Sequence, residues 1–167
     1  LTVVSRPNGN RSLMTSVEEL FDKHQLYELA CRYFQCVDRQ QFDGLRSLYH
    51  PQAIHDHGEM FSGDRDALIE WLKQSMQGLT TQHFLGNHLF VVSGDTATGE
   101  LYTINYHILP NDEHSRDYIA GGRYIDEYIK VDGNWLLYKR QRRIDWSHDR
   151  ESSPAQIAKQ LESKRSF

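Results

Sequence analysis

Cysteine is scarce in this chain of 167 residues, and the two it has, Cys31 and Cys36, stand five positions apart. That is not the C-x-x-C spacing of a redox motif or a zinc ribbon, and both fall in a helical stretch, so they read as packed thiols. Nothing in this usage points to an oxidising compartment. Surplus positive charge is missing too. Lys and Arg number 19 against 23 Asp and Glu, a net charge of −4, which leaves no electrostatic footprint for nucleic acid or an anionic membrane. No apolar run approaches the roughly 20 residues of a membrane span, and the opening LTVVSRPNGNRSLM is too polar for a secretory signal. A cytoplasmic protein is expected. Also absent are a Gly-rich phosphate loop, a G-x-S-x-G elbow, an H-E-x-x-H pair and any internal repeat.

What is present falls into a helical half and a strand half. Residues 1–15 read as a flexible arm. Ser16 is placed to cap a first helix, with Glu19 three residues on, and Leu20, Tyr27, Cys31 and Phe34 recur at helical spacing up to about Val37 or Asp38. Phe42 to Tyr49 reads as a short second helix, Ala53 to His57 as a strand, and Asp64 as the cap of a third helix presenting Leu68, Trp71 and Leu72. Strands are expected at Leu89–Val92, Thr96–Leu109, Tyr118–Val131 and Asn134–Ile144, with a polar loop opening at Pro110 and a hairpin at Asp132-Gly133. On the last strand Trp135, Leu137 and Lys139 share a face by alternation. Gly121-Gly122 reads as a bend that curves the sheet. After Trp146 the chain turns polar over 147–167, with Ser153-Pro154 fit to open a short helix.

Helices followed by an antiparallel meander make the chain α+β, and helices on one face of a curled sheet enclose a conical pocket. The string YFQCVDRQQFDGLRSLYHPQA, followed by QHFLGNH, GDTATGELY and GGRYIDEYIKVDGNWLLYKRQ, resembles the SnoaL-like branch of the NTF2-like superfamily over about residues 16–146. Bacterial bile-acid 7α-dehydratases are similar within it; scytalone dehydratase and the lindane dehydrochlorinase resemble it more distantly. The resemblance implies an NTF2-like cone, no cofactor and no metal. It implies a dehydratase that eliminates water from a hydrophobic cyclic or polycyclic hydroxy compound such as a hydroxysteroid, and a homodimer or homotrimer packed through the outer sheet face. An isomerase or polyketide cyclase fits the same frame. So does a non-catalytic subunit like the β subunits of ring-hydroxylating dioxygenases, or a ligand-binding module.

Elimination needs a base, an acid for the leaving hydroxyl and donors for the developing oxyanion. His83 is the candidate base and Asp38 its orienting partner, by resemblance to a dyad of Asp at the helix end and His at the strand start. The two are expected to meet in a cavity lined mostly by apolar groups. Tyr33 would offer a phenol, although five residues is about 140° around a helix, so it shares the pocket with Asp38 only where the helix is ending. Arg143 matches an active-site arginine by resemblance. Asn105 is a departure, because the bile-acid enzymes carry aspartate there; it can still hydrogen-bond a substrate oxygen. His57, Tyr124, Trp146 and His88 are candidate substrate contacts, with His107 a weaker one. His55 and His57 share a strand face, a pattern open to metal binding, but the resemblance points away from a metal.

Overall fold

In a computed structural model the described residues are 16–109 and 115–152, without the side chains of 115 and 150–152. The expected N-terminal arm, the loop opening at Pro110 and the helix after Ser153-Pro154 lie outside them. Helix α1 spans Val17–Asp38, and a 3₁₀ segment Phe42–Ser47 follows it. Strand β1 is Tyr49–Asp56, β2 is Ser62–Asp64 and helix α2 is Arg65–Ser75. The long strands are β3 (Thr80–Ser93), β4 (Thr96–Leu109), β5 (Ser115–Val131) and β6 (Asn134–Ser152). They form one sheet in the order β2-β1-β6-β5-β4-β3, antiparallel except where β1 runs parallel to β6.

Local chemistry sets the boundaries. Ser16 caps α1 by accepting from the Glu19 N–H, and Asp64 caps α2 by accepting from Ala67. Asp132 and Gly133 both take positive φ, 49° and 78°, the backbone a two-residue hairpin requires. Three expectations need correction. The buried side of α1 is Leu26, Ala30, Tyr33, Phe34 and Val37, whereas Leu20 is exposed and both cysteines are only half-buried. β3 begins nine residues before the strand expected at Leu89, because pairing with β4 carries its more polar start along. β6 continues past Trp146, paired with β5, where a tail was expected.

The core lies between the concave sheet face and the helices. Leu26, Leu45, Leu68, Ile69, Leu101 and Leu137 are fully enclosed, each contributing on the order of 2 kcal/mol by leaving water. Asp22, buried on α1, accepts from Trp135 Nε1 and Lys130 Nζ and so ties the helix to the β5–β6 hairpin.

Two irregularities decide what faces inward. Glu127 pairs with Lys139 but Tyr128 with Leu137, so Tyr138 is an extra residue in β6. Such a bulge inverts the alternation beyond it. Trp135 and Leu137 face the core as expected, but Arg140 and Arg142 follow them inward, while Lys139 is exposed. The second irregularity lies at Gly121-Gly122, where Asp145 is extra. A Cβ on Gly122 would stand 2.0 Å from the Arg143 carbonyl, and one on Gly121 2.1 Å from the Trp146 ring, so only glycine allows this close approach.

Candidate active site

α1 stops at Asp38 because the chain turns at Gln40 with φ 54°. A carboxylate at a helix C-terminus faces the negative end of the helix dipole and needs donors from elsewhere. β3 supplies three. Thr81 Oγ1 donates to Asp38 Oδ1 at 2.9 Å, the His83 backbone N–H donates to Oδ2 at 3.0 Å, and His83 Nδ1 lies 2.6 Å from Oδ1. Burial pushes the Asp38 carboxyl up, but these hydrogen bonds and the imidazole hold it below its ordinary value. An ionised acceptor at Nδ1 fixes the proton there and leaves Nε2 with its lone pair. The His83 side chain is 6% exposed, stacks on Phe34 at 5.6 Å and meets the His107 ring edge-on at 5.4 Å.

Around this pair the lining is more polar than expected. Asn105 stands opposite His83 in the β3–β4 register, 1% exposed, with Oδ1 unpartnered. His107 Nδ1 and Thr103 Oγ1, from the inward face of β4, are likewise unpartnered. Burial, then the proximity of His83, holds His107 down at about 4.

On the opposite side Tyr33 is buried at 2% exposure, and it borders the same interior as Asp38 because that residue ends the helix. Burial raises the Tyr33 phenol, which therefore stays a neutral donor. The Tyr33 and Tyr124 rings both lie against the Arg140 guanidinium, with centroids at 4.2 and 4.6 Å. Arg140 forks onto Asp126 at 2.8 and 2.7 Å, and Tyr128 donates to the same carboxylate at 2.6 Å. Burial opposes the Arg140 charge, but Asp126 keeps it firmly protonated. His55 and His57 project to one face and stack at 4.5 Å with an interplanar angle of 9°; Tyr49 Oη lies 2.8 Å from His55 Nδ1. Burial and then the neighbouring arginines hold His57 at about 3, and burial and then His57 hold His55 well below the ordinary imidazole value. Among the described residues no three His, Cys, Asp or Glu side chains are grouped as a metal site.

The interior thus brings together Asp38, His83, Tyr33, Asn105, Tyr124 and His57. Three expected site residues lie elsewhere. Arg143 is exposed on the outer face, because the bulge at Tyr138 reverses the phase; its neighbour Arg142 faces inward opposite Tyr124. Trp146 is on the outer face, where the bulge at Asp145 turns it over Gly121. His88 follows a bulge in β3 and is exposed, stacked on Tyr27 at 4.8 Å, towards the other end of the strand. Sequence reasoning missed Arg140 and Arg142 as inward groups, and the only signal for them was an irregularity that no residue type announces.

Helices packed on the concave face of a curled, mostly antiparallel six-stranded sheet make an NTF2-like α+β cone. A profile of the SnoaL-like domain matches residues 18–141, and the chain belongs to that family. Uncharacterized proteins of Mycobacterium tuberculosis and Mycobacterium bovis are 26% identical over 130 residues, 76% of this chain and 88% of theirs. Among solved structures, a candidate scytalone dehydratase of Novosphingobium aromaticivorans superposes with TM-score 0.71 at 22% identity, over 80% of this chain and 91% of that one. A type 3 hexachlorocyclohexane dehydrochlorinase of Novosphingobium barchaimii gives TM-score 0.70 at 18% identity, over 81% and 94%. These likenesses show the fold.

Proposed function

We propose that this protein is a cofactor-independent lyase, a dehydratase acting on a cyclic hydroxy ketone, with His83 as base and Asp38 as its partner. The observation that carries the reading is the 2.6 Å contact between His83 Nδ1 and a carboxylate whose oxygens are also held by Thr81 and the His83 backbone. His83 Nε2 takes a proton from the carbon next to the carbonyl, and Asp38 stabilises the imidazolium. Charge gathers on the carbonyl oxygen, to which the Asn105 amide offers a hydrogen bond. The C–O bond on the next carbon then breaks, the departing hydroxide takes the proton back from His83, and water and a conjugated enone result. Phe34, Tyr33 and Tyr124 offer ring faces to a cyclic substrate. The polar atoms among them favour an oxygenated ring over the bare hydrocarbon frame of a steroid. The names of the structural neighbours, a dehydratase and a dehydrochlorinase, are in keeping with elimination.

The test is turnover of a panel of cyclic β-hydroxy ketones, followed by enone absorbance. Asp38→Asn and His83→Ala are expected to lower kcat/KM by about 10²- to 10⁴-fold. Wild-type rates in both variants would end the reading. Double-bond migration without loss of water would make the protein an isomerase using the same base. We infer in addition that a second copy of this chain covers the outer sheet face, giving a homodimer or homotrimer.

A further inference from the structure

Arg142 differs from the other charged groups of the concave face. Arg140 is neutralised by Asp126, both with side chains 0% exposed, and Asp38 is engaged by His83. Arg142 is half-buried, faces inward beside Tyr124, and among the described residues has no carboxylate within ion-pair reach. Its neighbours do not supply the missing charge. β1 lies parallel to β6 with His55 beside Arg140 and Asp56 beside Gln141, so the next position, His57, falls level with Arg142. His57 Nδ1 and His55 Nε2 are buried and unpartnered, and so is Arg140 Nη1. Burial and the two guanidinium charges keep both imidazoles neutral. Asp56 turns away, accepting from Gly58 N–H and Gln141.

We propose that Arg142, with His57 beside it, binds a carboxylate of the substrate, so that the ligand class is a ring-bearing carboxylic acid with its acid group at the β1–β6 end of the cone. A guanidinium and a carboxylate are matched in planarity and charge. One unpaired guanidinium flanked by neutral imidazoles suits a monoanion; a phosphate dianion would leave charge uncompensated. With the acid group there, the rest of the ring points across β5 and β4 toward His83 on β3. The direction of that span rests on the lyase reading; the carboxylate site does not.

The experiment is calorimetric titration at pH 7 with 2-naphthoate and with the uncharged 2-naphthamide. Neither can lose water, so binding is read apart from turnover. The acid is expected to bind about tenfold tighter or more. Arg142→Gln should abolish that ratio, Arg142→Lys should keep part of it, and Arg143→Gln, one residue away on the outer face, should leave it intact. Equal binding of acid and amide, binding of neither, or an acid preference that survives Arg142→Gln overturns the proposal. If the ratio is absent while dyad variants still lose enone formation, the lyase reading stands alone. If the ratio is present and no hydroxy ketone is turned over, the carboxylate site stands without it.

Discussion

The two faces of one sheet handle the same chemical pair in opposite ways. β5 and β6 carry an arginine–carboxylate fork on each side. Inside, Arg140 grips Asp126 with both side chains 0% exposed, sealed by Tyr33, Tyr124 and Tyr128. Outside, Arg123 spans Asp145 and Glu100 with side chains 30–42% exposed. Water screens the outer network, so it contributes little to stability. The inner pair has given up its hydration, and neither member tolerates the loss of the other. The contrast extends to the rest of each face. The concave side gathers the dyad, neutral imidazoles and unpartnered polar atoms, while the convex side exposes Phe84, Tyr102, Ile104 and Trp146. Low water and fixed partners, the conditions that strengthen electrostatic interactions, go together on the helix-covered side among the described residues.

Within the fold, the largest expected effect comes from breaking the inner pair. Asp126→Ala strands a buried guanidinium and is expected to cost about 3–5 kcal/mol in urea unfolding. Arg123→Ala on the outer face should lose a small fraction of that. The double variant Asp126→Leu/Arg140→Met, which removes both charges, should recover most of the loss. If Arg123→Ala proves as damaging as Asp126→Ala, the contrast between the faces fails.

Acid should act through the concave face as well. His57 is held at about 3 and His107 at about 4, against an ordinary imidazole value of 6.5, first because both are buried. His55 is held well below that value for the same reason. Their folded pKa values are depressed, so between these values and 6.5 the unfolded chain binds protons that the folded chain refuses. Stability is therefore full above pH 6.5 and falls as the pH drops, by up to about 1.4 kcal/mol per pH unit for each such group. Asp38, also lowered, adds a loss in the same direction at more acid pH. His57→Gln should flatten the slope of stability against pH between 6.5 and 5 by roughly one group's share. An unchanged slope would mean that His57 is not buried neutral.

How much of this was legible depended on whether the signal was local. The caps at Ser16 and Asp64, the hairpin at Asp132-Gly133 and the span of β4 depend on side chains and neighbours a few residues apart, and they read correctly. The approach of Asp38 to His83 came from resemblance, because no local rule brings residues 38 and 83 together. Arg143 came from resemblance too; in the strand itself, one extra residue at Tyr138 sets the inward positions at Arg140 and Arg142. A bulge is a property of the ladder rather than of any residue type, so the choice among three arginines could not be made from the strand alone. The polar lining was read in part. Asn105 and His107 were candidates from the outset, whereas Thr103 is an ordinary strand residue until the curl of the sheet aims it inward beside them.

The smallest expected effect belongs to the outer face. Phe84, Tyr102, Ile104 and Trp146 are 45–55% exposed and line one shallow cleft with Gly121 and Gly122. Contiguous apolar surface of this kind marks an association site. If a second copy covers it, the free energy lies in burial of these side chains rather than in the ion pairs around them. Tyr102→Ser combined with Trp146→Ser should then shift the sedimentation coefficient toward that of a monomer at micromolar concentration. Enone formation should stay near the wild-type rate, since neither residue faces the dyad. A wild-type protein that already sediments as a monomer would leave the convex face without its proposed role. Activity lost in step with dissociation would show that the two faces are coupled through β5 and β6 rather than independent.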